Sequence, residues 1–364
     1  MLRSFAAVRL QLHGYTSPTN SSSPILFFAS SSSPSLLSTS SNSSPLSRAA
    51  MPGSTVRIAV VGDVHDDWEL EEDSRALQFL QPDLVLFTGD YGNENVELVR
   101  SISNLQMPKA AILGNHDCWH THQFSDKKPD RVQQQLECLG EEHVGYQRLD
   151  FPALKLSVVG GRPFSCGGDR LLRPRLLSKR YGVNNMEESA KKICKAARGT
   201  PEENIVIILA HNGPTGLGSK ANDICGKDWV FGGGDYGDPD LAEAISELQS
   251  NTQIPIPLVV FGHMHKSLAY SSTNFRKMIA IGNKETVYLN GAIVPRVKHI
   301  LVDNASSSSV DPTNVPENSG SVTASLRAFT VVDMHEGKVK KISETWVLVA
   351  DKISVQEEIT LLES

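Results

Sequence analysis

The fold is decided by the stretch Val56-Arg57-Ile58-Ala59-Val60-Val61-Gly62-Asp63-Val64-His65. A short, nearly continuous apolar run such as 56–61 is typical of a strand that is buried on both faces. The glycine after it lets the backbone approach a neighbour closely, and the aspartate and histidine that follow are metal-binding residue types. We therefore predict a buried strand that ends in a polar site.

Four other apolar runs along the chain end in the same way. The polar stretches that follow them are Thr88-Gly89-Asp90, Gly114-Asn115-His116-Asp117, His211-Asn212 and Gly262-His263-Met264-His265. In open α/β sheets, ligands bind outside the carboxyl ends of the strands. One such end would mean little, but five ends that each carry Asp, Asn or His predict one shared site.

The segments between these runs carry helical periodicity or a helix-start signal. The predicted helices are 95–105, 131–139, 187–197 and one that begins at Asp238-Pro239-Asp240. The C-terminal third instead has apolar runs with little helix between them, and antiparallel pairing fits these strands. They lie at 278–281, 286–289, 328–332 and 339–349.

Composition excludes several classes of protein. The net charge of -6 gives no global basic field, so binding to long nucleic acid is not expected. No apolar run approaches the roughly 20 residues that a membrane-spanning helix needs. The five cysteines form no CxxC pair and their number is odd, which indicates reduced thiols rather than a disulfide framework or a zinc ribbon.

The five polar stretches resemble the motifs of the calcineurin-like metallophosphoesterase superfamily, which are DxH, GD, GNH(D/E), H and GHxH in that order. The chain matches all five blocks between Asp63 and His265. The resemblance implies an α/β fold: a four-layer α-β-β-α sandwich of two mixed β-sheets flanked by helices, with a dinuclear metal site at the C-terminal strand ends. The stretch Gly89-Asp90-Tyr91-Gly92-Asn93 lacks the DRG arginine of protein Ser/Thr phosphatases, so the chain looks closer to a plastid and cyanobacterial group.

The resemblance also implies seven metal ligands. Those of the first ion are Asp63, His65 and His265, the bridging ligand is Asp90, and those of the second ion are Asn115, His211 and His263. Independently of the resemblance, oxygen and imidazole donors without thiolate suit Mn, Fe, Zn or Ni. Two such divalent ions would hold the phosphoryl oxygens and a bridging hydroxide that attacks phosphorus in line with the leaving group.

His116 is not one of the implied ligands. In the resembled family this position protonates or stabilises the leaving oxygen. Asp117 follows it and is expected to orient the imidazole, as carboxylates often do for catalytic histidines. The alternative is that His116 is a structural residue behind the ligands.

Weaker signals lie in the loops around the predicted site. Arg162 follows a predicted strand and is a candidate for holding a non-reacting phosphate oxygen, with a surface salt bridge as the equal alternative. The glycine-rich stretches 212–216 and 232–237 are expected as loops at the mouth of the site, where they either move over substrate or form static turns. Three aromatic side chains would form an apolar wall beside the site or, by default, pack in the core. They are Trp119, Trp229 and Phe231.

Residues 1–50 are a different kind of sequence. They contain sixteen serines, three threonines and no Asp or Glu, and their only charged residues are Arg3, Arg9 and Arg48. Such a segment cannot bury enough apolar surface to offset its ordering entropy, and serine-rich, acid-free composition is typical of organelle transit peptides. We expect a disordered plastid transit peptide, which would place the protein in the chloroplast stroma. A start at Met51 would give a cytosolic form.

The rest of the chain is expected to form one domain. Residues 51–350 would be the metallophosphoesterase domain and 351–364 a C-terminal tail. The segment 303–325 is rich in serine, asparagine and proline, and we predict a mobile loop insertion that joins two strands.

The function expected from these features is metal-dependent hydrolysis of a small phosphorylated substrate, either a phosphomonoester or a phosphodiester. Two alternatives stay open. One is a catalytically silent metal-binding scaffold on the same fold, and the other is a nuclease of the same superfamily. The sequence identifies neither a protein partner nor the substrate, because the loops around the site follow no recognisable binding pattern.

Overall fold

The computed structural model describes residues 55–269, 274–302 and 322–364. Within these ranges the strands are β1 (Thr55–Val61), β2 (Leu84–Phe87), β3 (Lys109–Ala111), β4 (Arg148–Phe151), β5 (Leu156–Gly160), β6 (Ile205–Leu209), β7 (Leu258–Phe261), β8 (Ile279–Ile281), β9 (Val287–Asn290), β10 (Val297–Val302), β11 (Val322–His335), β12 (Lys338–Val349) and β13 (Ser354–Glu363). The α-helices are α1 (Leu70–Leu80), α2 (Val96–Ser103), α3 (Arg131–Leu139), α4 (Pro174–Tyr181), α5 (Met186–Ala197) and α6 (Pro239–Asn251). None of the helices in the described ranges is long and apolar enough to cross a membrane.

The strands form two mixed sheets. The first has the order β13-β12-β11-β1-β2-β3, with β10 also paired to β11, and the second has the order β4-β5-β6-β7-β9-β8. Parallel pairs join β1 to β2 and β2 to β3 in the first sheet, and they join β5, β6, β7 and β9 in the second. The predicted α/β class, with two mixed sheets flanked by helices, is confirmed.

Alternation within β1 explains why its apolar run is continuous. Ile58 and Val60 belong to one buried cluster with residues of the second sheet such as Ile207, whereas Ala59 and Val61 belong to the cluster that contains the helices, such as Leu77 of α1. Side chains of a strand point alternately to the two faces of its sheet. Both faces of β1 are therefore covered, one by the other sheet and one by helices.

Side-chain caps fix the beginnings of several helices. The carboxylate of Asp130 accepts a hydrogen bond from the backbone N–H of Gln133 at the start of α3, and the amide oxygen of Asn95 does the same for α2. α6 begins at Pro239, as predicted, but Asp238 makes no side-chain cap bond there. Its carboxylate is engaged elsewhere, as described below for Arg162.

The C-terminal third corrects three expectations. β9 pairs with β7 in the parallel direction, so antiparallel pairing holds for β10 to β13 and for β8 with β9, but not for every strand. Residues 354–363, expected in a tail, form β13 on the edge of the first sheet. The segment 303–321 lies outside the described residues, while 322–325 begin β11 rather than ending a loop. β10 and β11 pair antiparallel, so this segment connects two neighbouring strands of one sheet, as predicted.

A buried ion network ties α1 to the strands that precede and follow the loop segment. Asp73 is fully buried, and its two carboxylate oxygens accept from Arg296 at 2.7 Å and from Arg327 at 2.5 Å. Arg296 also donates to the backbone oxygen of Asp67 at 2.6 Å. Because Asp67 lies two residues after His65, this network also holds the loop that follows β1.

Replacing Asp73 with alanine leaves two guanidinium groups buried without their shared carboxylate. We expect the free energy of unfolding to fall by about 3–5 kcal/mol, as for other buried pairs that lose one partner, and denaturant unfolding followed by circular dichroism measures the change. Glu97→Ala is the matched control, because Glu97 is 80% exposed and pairs with Arg100 on the surface of α2. Losses of equal size in the two variants would contradict the role given to the buried network.

Candidate metal centre

The polar residues that follow β1, β2, β3, β6 and β7 meet at one end of the two sheets. Three groups of donor atoms lie together there, each with all of its atoms within 4.8 Å of one another. The groups are Asp63 with His65 and His265, His65 with Asp90 and His116, and Asp90 with His211 and His263. The five strand ends predicted to share one site therefore do so.

The first group contains two imidazoles that face each other. The Nε2 atoms of His65 and His265 are 3.0 Å apart, and Nε2 of His265 is 3.5 Å from Oδ2 of Asp63. Asp63 is fully buried, and its Oδ2 atom has no hydrogen-bond partner in the described structure. A buried carboxylate oxygen without a donor, beside two converging imidazole nitrogens, fits a metal ion.

The second group is arranged around His211. Nδ1 of His211 donates to the backbone oxygen of Thr88 at 2.7 Å, so its Nε2 atom is left to bind a ligand. That Nε2 atom is 2.9 Å from Oδ1 of Asn115 and 3.3 Å from Oδ1 of Asp90. Burial lowers the pKa of the nearby His263 to about 3, which keeps that imidazole neutral and able to bind metal.

Asp90 lies between the two groups. Its Oδ1 atom faces His211, and its Oδ2 atom is 3.9 Å from Nε2 of His65. Burial would raise the pKa of this carboxyl group, but the charge and hydrogen bond of His211 hold it below its usual range. An ionised carboxylate with one oxygen toward each group is the arrangement that a bridging ligand needs.

The backbone at these positions is strained. His65, Asp90 and His263 have φ values of 45°, 50° and 65°, a region that residues other than glycine rarely adopt. Such conformations persist only where the surroundings hold them, and they cluster at functional sites. A Cβ atom on Gly262 would lie 2.1 Å from Oδ1 of Asp63, which explains the glycine before His263.

Asp117 does not have the role expected for it. Its buried carboxylate accepts hydrogen bonds from the backbone N–H groups of Gly114 at 2.7 Å, Asp90 at 2.9 Å and Tyr91 at 3.0 Å. These bonds join the loop after β2 to the loop after β3. Asp117 therefore fixes the backbone of the site, and the expectation that it orients the imidazole of His116 is corrected.

The partner of His116 is a residue that sequence reasoning missed. Nδ1 of His116 is 2.7 Å from the amide oxygen of Asn93, and the ring stacks on Trp119 with centroids 4.6 Å apart and an interplanar angle of 13°. Because an amide oxygen only accepts, the hydrogen lies on Nδ1, and Nε2 faces Asp90 at 4.0 Å. The sequence does contain one indication of this partner. Asn93 stands three positions after Asp90, in the stretch that departs from the DRG pattern of protein phosphatases.

Arg162 is buried away from solvent. Its side chain is 0% exposed, and it pairs with Asp238 and Asp240 at 2.9 Å each. The surface salt bridge weighed as an alternative is therefore a buried ion pair. In this conformation the guanidinium has no exposed surface from which to contact a substrate.

The aromatic residues near the site are not in the core. Trp119 is 48% exposed, Trp229 is 44% exposed, and Phe231 is fully exposed at 107%. Trp119 contacts His116, and Trp229 lies edge-on against Tyr236, whose ring is 6.4 Å from that of His263. The default expectation of core packing is therefore wrong for all three.

Two mixed sheets with carboxylate, amide and imidazole donors at their strand ends are the framework of a metal-dependent hydrolase of phosphoester bonds. The sequence model of the calcineurin-like phosphoesterases matches residues 56–267, and the chain belongs to this family. The resemblance seen in the motifs is thus confirmed. No curated protein sequence matches the chain at a significant level.

Solved structures with a similar fold share little sequence with this chain. A dimetal phosphatase from Danio rerio is 12% identical, with 85% of this chain and 99% of that chain covered and a TM-score of 0.44. The anchor in the inner membrane complex of Plasmodium is 13% identical, with 85% and 89% covered and a TM-score of 0.41. A predicted phosphoesterase from Streptococcus pneumoniae is 10% identical, with 84% and 98% covered and a TM-score of 0.29.

Asn93→Ala removes the acceptor for the Nδ1 hydrogen of His116. We expect kcat for a generic aryl phosphate to fall about 10-fold or more, with the bound metal unchanged, as measured by steady-state kinetics and metal analysis of the Mn²⁺-loaded chain. Asn93→Asp restores an acceptor and should recover most of the rate. Asn104→Ala, which changes an exposed amide at the end of α2, should alter neither quantity. Loss of metal together with rate would show that Asn93 supports the ligands instead.

Proposed function

We propose that this chain hydrolyses phosphoric mono- or diesters of small molecules, with His116 delivering a proton to the leaving oxygen. One observation carries the proposal. An imidazole outside the seven expected ligands is held at its Nδ1 atom by Asn93, and its Nε2 atom is 4.0 Å from the carboxylate of Asp90. The side chain of His116 is 29% exposed, so a substrate can reach it.

The residues around it fit two divalent ions. Asp63, His65 and His265 would hold one ion, Asn115, His211 and His263 the other, and Asp90 both. When bound, such ions supply Lewis-acid activation of water and of the phosphoryl oxygens. The carboxylate, amide and imidazole donors suit Mn, Fe, Zn or Ni and do not distinguish among these four metals.

The chain itself supplies orientation and proton transfer. Thr88 fixes the tautomer of His211 through its backbone oxygen, and the backbone N–H of His263 donates to Oδ1 of Asp63 at 3.0 Å. With its hydrogen on Nδ1, His116 takes up or gives a second proton only at Nε2, the atom that faces the centre. Protonated Nε2 is therefore the group that can donate to a leaving oxygen.

Exposure differs across the centre in a way that supports this assignment. The side chains of His211 and Asp63 are 0% exposed, whereas those of His65 and His265 are 23% and 40% exposed. The accessible edge of the centre is thus the edge that carries His65, His265 and His116. A substrate entering from that edge meets the proposed proton donor before the buried ligands.

The test is a hydrolysis panel on the Mn²⁺-loaded full chain, with aryl phosphates, cyclic nucleotides, nucleotide sugars, phosphopeptides and short oligonucleotides. We expect turnover that is lost together with metal in Asp90→Ala. In His116→Ala we expect a fall of at least about 10²-fold with metal retained, because a general acid is removed. Full metal loading without turnover of any ester would favour a silent scaffold, and activity restricted to oligonucleotides would favour a nuclease.

We also propose that residues 1–50 direct the protein to the plastid. The support is the composition of this segment, which is rich in serine and free of acidic residues. Residues 1–54 lie outside the described structure.

A reporter fused to residues 1–50 should therefore accumulate in plastids when it is expressed in plant cells. The same reporter fused to residues 51–364 is the control and should stay in the cytosol. Fluorescence microscopy and fractionation distinguish the two locations. A cytosolic signal from the first fusion would overturn the targeting proposal and leave the catalytic one untouched.

A further inference from the structure

Residues 225–236 form an ordered hairpin. Its two arms are joined by the backbone bonds from Tyr236 to Cys225 at 2.9 Å and from Lys227 to Gly234 at 2.8 Å. A bond from Gly233 to Val230 at 3.0 Å closes the turn at its tip. Its second arm overlaps the glycine-rich stretch 232–237, which the sequence predicts at the mouth of the site.

Arg276 holds this hairpin from behind. The guanidinium is nearly buried, and its NH1 group donates to the backbone oxygens of Ala221, Asp223 and Gly226 at 3.1, 2.9 and 2.7 Å. It also pairs with Asp228 at 3.4 Å. Gly226 and Asp228 lie in the first arm, so one planar guanidinium group anchors this arm to the segment that precedes it.

The base of the hairpin contacts the metal centre through Tyr236. The ring of Tyr236 lies 6.4 Å from that of His263, with an interplanar angle of 26°. Gly167 also lies against this residue: a Cβ atom there would be 2.3 Å from the backbone oxygen of Tyr236 and 2.7 Å from its Cδ1 atom. The glycine therefore leaves room for the ring, which is held beside an expected metal ligand.

Two further side chains complete a surface next to Tyr236. The ring of Trp229 lies edge-on to that of Tyr236, with centroids 4.9 Å apart, and Trp229 is 44% exposed. The ammonium group of Lys227 lies 5.4 Å from the centroid of the Tyr236 ring. Among the described residues, Lys227 forms no salt bridge with a carboxylate, so its charge is available to an anionic ligand.

We propose that Trp229, Lys227 and Tyr236 form a subsite for the organic part of the substrate, and that this part carries a planar ring system, as a nucleotide does. The inference rests on the function proposed above. A tryptophan face stacks on any planar ring, and a nearby ammonium group favours a ligand that carries negative charge. An aliphatic phosphate gains only the second of these interactions.

The matched ligands are adenosine 5′-monophosphate and ribose 5-phosphate, which have the same phosphorylated oxygen and differ in the base. Equilibrium binding is measured by calorimetry on the Mn²⁺-loaded His116→Ala chain, in which turnover is expected to be at least about 10²-fold slower. Stacking on one aromatic side chain should make the nucleotide bind about 10-fold more tightly. Equal dissociation constants, including equally weak binding of both ligands, overturn the subsite.

Variants identify the side chain that is responsible. Adding Trp229→Leu should remove most of the preference for the nucleotide. Phe231→Leu is the control, because it removes an aromatic ring from the same hairpin at a fully exposed position, and it should keep the preference. Loss of the preference in both variants would show that the hairpin was disturbed rather than the subsite, and would overturn the role of Trp229.

The outcomes separate this inference from the function on which it rests. If the wild-type chain hydrolyses both ligands with equal kcat/KM and they also bind equally, the subsite fails and the esterase proposal stands. If no ester is hydrolysed but the nucleotide binds more tightly in a manner that depends on Trp229, the esterase proposal fails and the surface remains as a binding site.

Discussion

The burial of Asp63 and Asp90 at the junction of the two sheets is the constraint on which the site depends. Buried carboxylates are costly unless a positive charge or hydrogen-bond donors compensate them. Here imidazoles surround them: burial would lower the pKa of His211, but Asp90 raises it to about 10. One oxygen of Asp63 still has no donor within the described structure. Divalent cations compensate this charge directly, so the burial that costs free energy is also what makes the donors bind metal.

That burial requires the backbone segments around the two carboxylates to approach each other closely. The strands that precede these segments hold them in place. The left-handed conformations of His65, Asp90 and His263 cost of the order of 1–3 kcal/mol each. They directly follow strands whose side chains are buried on both faces, and these strands fix where the strained residues lie. Asp117 adds a link between the loops after β2 and β3. The strained backbone at these three residues is therefore held in place by the strands before them and by the bonds that Asp117 accepts.

The sequence predicts those parts of the structure that depend on local pattern. The strands β1, β2 and β7 are recognisable because burial on both faces requires a continuous run of apolar residues. The ligand residues after them are recognisable because metal binding requires Asp, Asn or His. The hydrogen-bond partner of a given side chain cannot be recognised from residue type in this way. Whether Asp117 or Asn93 contacts His116 depends on how two loops meet in space. Exposed elements are missed for a related reason. Most side chains of β13 are exposed, so the strand lacks the continuous apolar run that identifies a buried strand in the sequence.

The chemistry and the recognition of substrate come from different parts of the chain. The ligands are fixed by strand ends, whereas the exposed aromatic surface comes from a hairpin that Arg276 holds in place. A pre-formed wall loses little conformational entropy when a ligand binds, and a planar ring is itself rigid, so stacking between the two retains most of its interaction energy. A flexible loop would lose part of that energy in closing. The anchoring of the hairpin by Arg276 therefore favours a ligand whose shape is also fixed.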